Sequence, residues 1–256
     1  MQLRYITRMT TLGRSILLAL AVLVARPASA GETQVAAAAN FTQPARQIAA
    51  AFKAATGHTA ILSFGSSGQV YAQLTHGAPF EVFLSADAER PRRAEEDGLA
   101  VPGSRFTYAV GRLVLYSKTP GLVDGAGAVL MAGRFDKLAI ADPAAAPYGA
   151  AAVQTLRTLG LYAAAKPKIV TGGSITQAYQ FVETGAAELG FVALSQVAGV
   201  RGGSRWLVPE ADHAPIEQQA VLLQTGRDNP AARAFLRFLK GPQARAIIKT
   251  YGYGVP

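Results

Sequence analysis

Asn40, the pair Ser66 and Ser67, Tyr148, and the backbone at Ser174 and Ile175 each stand where an apolar, strand-like run gives way to a helical pattern. The plainest case is Gly65-Ser66-Ser67-Gly68. It follows Ala60-Ile61-Leu62 and precedes Val70, Tyr71 and Leu74, which are spaced for one face of a helix. Glycine permits a sharp turn and a close backbone approach to a ligand, and serine just ahead of a helix is a favoured N-cap. The first helical turn leaves N–H groups unpaired and carries a partial positive charge, so such a junction can seat an anion. A lone Gly-Ser-Ser-Gly is more often an ordinary turn, so the chemistry has to be judged on the whole set.

No lysine or arginine stands at any of these junctions. A site made of helix N-termini, amides and hydroxyls favours a small anion that is already fully deprotonated. A protonated phosphate brings a hydrogen that such a site cannot accept, and a buried polar group left unpaired costs about 1–3 kcal/mol. Chloride or a substrate carboxylate stays open on this physics alone.

Enzymatic chemistry finds little support. Gly65-Ser66-Ser67-Gly68 is one residue short of the Gly-x-Ser-x-Gly nucleophile elbow. His58, His76 and His213 are the only histidines and have no metal-ligand spacing; His58 and His76 lie beside helix-ending glycines and read as helix C-terminal charges or solvent residues. Neither phosphate-loop nor dinucleotide fingerprint occurs. Asp87, Asp142 and Asp212 lie near strand ends, where a cap or turn role outweighs paired-acid chemistry. The chain has no cysteine, which excludes disulfides, a thiol nucleophile and thiolate metal sites.

The elements that must position these donors begin after a leader. Arg4, Arg8 and Arg14 precede the apolar run Ser15 to Ala25, too short to span a bilayer, and Ala28-Ser29-Ala30 supplies small residues for cleavage. An exported chain beginning near Gly31 is expected. The leader holds four arginines and no acids, so the formal charge falls from +9 to +5 without it. The densest basic run, Arg90-Pro91-Arg92-Arg93, is flanked by Glu89, Glu95, Glu96 and Asp97 and reads as a solvated helix face rather than a nucleic-acid surface. No second apolar run reaches membrane-spanning length.

Strand and helix patterns then alternate. Strand patterns are Gln34–Ala39, Ala60–Ser63, Ala78–Ser85, Phe106–Tyr116, Leu138–Asp142, Ile169–Thr171, Leu189–Leu194 and Gln218–Gln224. Between them lie helical patterns, the first capped by Asn40 or Thr42 with Pro44 in its first turn, and two short helices close the chain. Such βα alternation predicts an α/β fold with mostly parallel sheets. The long runs 106–116 and 218–224 suit strands that cross between two lobes, with ligand bound beyond the strands' carboxyl ends. The expected division is 1–30 as leader, 31–109 with 221–256 as one lobe, and 110–220 as the other.

Three sets of residues carry a family resemblance: Ala37-Ala38-Ala39-Asn40-Phe41-Thr42, Ser63 to Gly68, and Gly77 to Asp87. With Asp142-Pro143, Ala146-Pro147-Tyr148-Gly149, Val182 to Gly185 and Glu188 to Ser195, they resemble the periplasmic molybdate-binding proteins of ABC importers over essentially the whole mature chain. The resemblance implies a two-lobed, type II periplasmic-binding-protein fold and a monomer that closes on molybdate or tungstate and docks on a membrane permease. It implies no catalysis, no cofactor and no nucleic acid. Carried over by position, the donors are Asn40, Ser67, Tyr148 and the Ile175 N–H, with Ser66 and Ser174 as further candidates. Many members place serine at Asn40 and alanine at Tyr148, and a tyrosine where this chain has Ala193; the Tyr148 hydroxyl is the expected replacement for that missing donor. A receptor for sulfate or another tetrahedral oxyanion is the nearest alternative, and a secreted α/β hydrolase using Ser67 the more distant one.

Overall fold

The computed structural model describes residues 30–256, so the expected leader lies outside the described residues except for Ala30. The chain opens with β1 (Glu32–Ala38), a 3-10 turn (Ala39–Phe41), α1 (Thr42–Thr56), β2 (Thr59–Gly65), α2 (Ser67–Thr75), β3 (Val82–Leu84) and α3 (Glu89–Glu96). Next come β4 (Phe106–Gly111), β5 (Leu113–Ser117), α4 (Ala128–Met131), β6 (Leu138–Ala141), α5 (Pro147–Thr158) and α6 (Tyr162–Ala165). They lead to β7 (Ile169–Gly172), α7 (Ile175–Glu183), β8 (Leu189–Ala193), α8 (Leu194–Val197) and β9 (Ser204–Leu207). β10 (Ile216–Leu222), α9 (Pro230–Lys240) and α10 (Pro242–Thr250) finish the chain.

The strands form two five-stranded sheets, ordered β2-β1-β3-β10-β4 and β7-β6-β8-β5-β9. In the first, β2, β1 and β3 are parallel and β10 pairs antiparallel with both β3 and β4. In the second, β7, β6 and β8 are parallel and β5 pairs antiparallel with both β8 and β9. Each lobe is therefore a mixed sheet with a single reversed strand, flanked by helices, as the expected two-lobed α/β fold requires. The reversed strand is in each case the one the chain enters directly after changing lobes.

The crossings differ in detail from the expectation. The run 106–116 does pass between lobes, but it breaks at Arg112 into β4 in the first sheet and β5 in the second. The return is made by residues 208–215, where Pro209 and Pro215 exclude a continuous strand, and β10 stays wholly within the first sheet. The expected boundaries at 109/110 and 220/221 thus cut through β4 and β10. β9 was not anticipated, since its Ser-Arg-Trp-Leu sequence buries only Trp206 and shows no apolar run. The strand expected over 78–85 is confined to Val82–Leu84, because Pro79 has no N–H for the ladder.

Burial explains why these strands are short and apolar. In the first sheet Val35, Ala37, Leu84 and Ala220 face the cluster built on α1, α9 and α10, while Ala36, Phe83 and Val221 face α2 and α3. Both faces are covered, which is why the sequence there reads as an unbroken apolar run. The second lobe has one large cluster around Leu113, Leu115, Leu138 and Phe191, and it continues into Ala38, Ala39 and Ala86 of the first. Apolar packing therefore runs beneath the cleft from one lobe into the other.

Candidate functional site

β2 ends at Gly65, and α2 begins at Ser67 with Ser66 as N-cap. Ser66 Oγ accepts from the Gln69 N–H at 3.3 Å and the Ser66 N–H donates to Gln69 Oε1 at 3.1 Å, a complete capping box. Ser67 Oγ accepts from the Ala86 N–H at 2.9 Å, which leaves its hydroxyl hydrogen to be given elsewhere. Its own N–H is a first-turn donor with no partner in the helix.

Asn40 departs from its expected role. Neither it nor Thr42 caps α1 through its side chain; the N-cap is Phe41, and Thr42 Oγ1 donates back to Ala39 O at 2.8 Å. The Asn40 side chain turns into the interior, where Nδ2 donates to Gln218 Oε1 and to the Tyr253 hydroxyl, both at 2.9 Å. Both amide hydrogens are used, so what Asn40 can still offer an anion is its backbone N–H at the head of the 3-10 turn.

Tyr148 follows Pro147, which opens α5 at a position where a missing N–H costs nothing. The ring is 1 % exposed, and its hydroxyl accepts from Gln218 Nε2 at 3.1 Å. Gly111, the last residue before the crossing, makes room for this pair. A Cβ there would land on the Tyr148 hydroxyl and 2.8 Å from Gln218 Nε2. Burial pushes the phenols of Tyr148 and Tyr108 well up and that of Tyr253 up to about 12, so all three remain protonated donors at neutral pH.

Ser174 caps α7 by accepting from the Gln177 N–H at 3.3 Å, and Ile175 is the first helical residue. The Ile175 side chain is buried, as its apolar character demands. Ala193, where a hydroxyl is missing, caps α8 and donates its N–H to Gln196 Oε1 at 3.0 Å.

Asn40, Ser66, Ser67, Tyr148 and Ile175 all line one small cavity, together with Ala38, Ala39, Ala86, Ala146 and Pro147. It is a tight space, with about 10 Å³ open to the centre of a water-sized sphere, and no charged side chain lines it. Ser174, the cap of α7, does not line it. Donors reach the cavity from both lobes: the ends of β1 and β2 from one, the starts of α5 and α7 from the other. The lobes are closed upon each other. The Gly68 N–H donates to Ala145 O at 2.8 Å, Arg90 Nη2 to Ala144 O at 2.8 Å, and Ser195 Oγ to Asn40 O at 2.8 Å. Two of the acidic candidates are structural, Asp87 Oδ1 accepting from the Arg90 N–H and Asp142 Oδ1 from the Ala144 N–H, and the third, Asp212, sits in the 3-10 turn Glu210–Asp212 and does not line the cavity. His58, expected at a helix end or in solvent, is buried, accepts from the Gly31 N–H and stacks on Phe52. No histidine or carboxylate lines the cavity, so Ser67 has no base.

Gln218, Tyr253, Tyr108 and Ser195 stand behind the donors and were not anticipated. The Tyr108 hydroxyl lies 3.1 Å from Gln218 Oε1 and 3.2 Å from the Ser85 carbonyl, and the Tyr253 hydroxyl lies 2.9 Å from Ser195 Oγ. The one signal for them in the sequence is Gln218-Gln219 interrupting a strand that is otherwise apolar. Tyr253, three residues from the chain end, has none.

A family model for bacterial extracellular solute-binding proteins matches residues 33–254. The molybdate-binding protein ModA of Rhodobacter capsulatus is 58 % identical over 236 residues, covering 92 % of this chain and 93 % of that one. The solved periplasmic molybdate-binding protein of Azotobacter vinelandii superposes with a TM-score of 0.84 at 45 % identity, covering 88 % of this chain and 99 % of its own. The sulfate-binding protein SubI of Mycobacterium tuberculosis shares the fold with a TM-score of 0.74 at 14 % identity, covering 88 % of this chain and 87 % of its own.

Proposed function

This chain belongs to the bacterial extracellular solute-binding proteins, and we propose that it captures molybdate, and by the same chemistry tungstate, for delivery to an ABC importer. In this reading residues 1–30 are a leader removed on export, the mature chain acts in the periplasm as a monomer, and its partner is the importer's membrane permease. It performs no catalysis and needs no cofactor; the oxyanion is cargo.

The observation that carries the reading is the convergence of uncharged donors from both lobes on one cavity free of Lys, Arg, Asp and Glu. An oxyanion with no hydrogen of its own can only accept, and every group proposed to meet it can donate. The Ser67 hydroxyl and N–H and the Asn40 N–H hold it from one lobe. The Tyr148 hydroxyl and N–H and the Ile175 N–H hold it from the other, with the Tyr148 hydroxyl in place of the donor absent at Ala193. Ser66 and Ser174 serve as caps that keep the first turns of α2 and α7 in place. Binding from both sides couples occupancy to closure, because the ligand gains contacts only when the lobes meet. The likeness of the ModA relatives supports the choice of molybdate over sulfate, whose receptor shares only the fold.

Thermal unfolding with each oxyanion tests this. A ligand that binds only the folded state raises stability by RT ln(1 + [L]/Kd). Molybdate and tungstate should raise the midpoint at micromolar concentration, while phosphate and sulfate should not. A larger shift with sulfate would replace the proposed cargo.

A further inference from the structure

We propose that Gln218 is a positioning residue that sets the direction of hydrogen bonding in the site, so that Tyr148 donates to the bound oxyanion and Asn40 does not use its side chain. This rests on the oxyanion reading above and adds what decides the donor set.

Gln218 is completely buried on β10, and its amide touches three groups. Its Oε1 accepts from Asn40 Nδ2 at 2.9 Å and lies 3.1 Å from the Tyr108 hydroxyl, whose one hydrogen is shared with the Ser85 carbonyl at 3.2 Å. Its Nε2 donates to the Tyr148 hydroxyl at 3.1 Å. An amide cannot reverse one end without the other. With Oε1 held by the Asn40 amide, Nε2 faces Tyr148, and a phenol that accepts there has its one hydrogen to give either to the bound oxyanion or to the Tyr253 hydroxyl beside it. The rest of the network is consistent with this order. The second Asn40 Nδ2 hydrogen goes to the Tyr253 hydroxyl, Tyr253 is 2.9 Å from Ser195 Oγ, and Ser195 Oγ donates to Asn40 O at 2.8 Å. The loop closes on the backbone carbonyl of Asn40, the residue whose N–H the 3-10 turn presents. Gln218 thereby links the first lobe's Asn40 to the second lobe's Tyr148. The reversed order, with Gln218 accepting from Tyr148, would turn Tyr148 away from the ligand and leave the Asn40 amide as donor.

Calorimetric titration of the full mature chain with molybdate at pH 8 decides between the two orders, using wild type, Gln218→Glu, Tyr148→Phe and the double variant. At that pH the introduced carboxylate offers Tyr148 only an acceptor. Each single variant should weaken molybdate binding by roughly tenfold or more, and the double variant should be no weaker than the worse single one. A structural role alone would make the losses multiply, and that result overturns the proposal. So does a Tyr148→Phe protein that binds like wild type, which leaves the oxyanion reading intact. If Gln218→Glu fails to fold, Gln218→Met, which also has no donor, replaces it in the same cycle. A wild-type protein that ignores molybdate removes the underlying reading as well, and is seen before any variant is made.

Discussion

The backbone N–H of Gly68 donates to the carbonyl of Ala145 at 2.8 Å, joining the first turn of α2 in one lobe to the loop ahead of α5 in the other. A Cβ on Gly68 would lie 2.9 Å from Ala145 Cα and 3.0 Å from Arg90 Nη2, so the lobes can approach this closely only at a glycine. Gly68→Ala should therefore leave each lobe folded while opposing closure. Overpacking of this kind costs about 1–3 kcal/mol, which corresponds to roughly fivefold to 150-fold weaker molybdate binding. Small-angle scattering should show less compaction on adding ligand than in wild type. Unchanged affinity and compaction would mean that closure does not depend on this contact.

The two adjacent serines should separate cleanly. Ser66→Ala removes the cap of α2 and should lower stability by about 1 kcal/mol with little change in affinity. Ser67→Ala removes a hydroxyl proposed to face the anion, and should weaken molybdate binding by roughly tenfold or more. Chemical denaturation and calorimetry on both proteins check this; equal affinity losses would contradict the division of roles.

Gly111→Ala should disturb the site from behind. Its new Cβ occupies the space of the Tyr148 hydroxyl and presses on Gln218, both buried. Stability should fall by about 1–3 kcal/mol, and affinity should fall with it. Wild-type affinity in this variant would show that the Tyr148 hydroxyl can move without consequence.

The buried tyrosines give a pH dependence of definite sign. Desolvation raises the Tyr253 phenol to about 12, against about 10 when unfolded. A raised pKa means that the folded state holds the proton more tightly. The associated stability, about 3 kcal/mol for Tyr253, is present below pH 10 and is lost as pH rises towards 12. Unfolding midpoints should be steady from roughly pH 6 to 9 and fall above about pH 10, and Tyr253→Phe should flatten part of that fall. A midpoint that holds steady to about pH 12 would contradict the burial argument.

The order of elements, the two lobes and the four donor-bearing junctions were legible because each leaves a local mark. Ser66 precedes a helical pattern, Pro147 opens one, and apolar runs mark strands covered on both faces. The crossing through 208–215 was not legible, since a connection between lobes has no pattern beyond its prolines. The inward turn of Asn40 was hidden for a different reason. Asparagine ahead of a helix looks like a cap, and only the distant Gln218 and Tyr253, 178 and 213 residues away in sequence, draw its amide inside. Arg90 likewise read as part of a solvated helix face, and Arg92 does pair with Glu89 and Glu96 there, yet Arg90 reaches the opposite lobe.

The central claim is that uncharged donors from two lobes select a fully deprotonated oxyanion. Calorimetry of the mature chain at pH 8 with molybdate, tungstate, sulfate and phosphate tests it most directly. The account predicts tight, comparable binding of molybdate and tungstate, and much weaker binding of phosphate, whose hydrogen meets no carboxylate in the cavity. Phosphate binding as tightly as molybdate would contradict it.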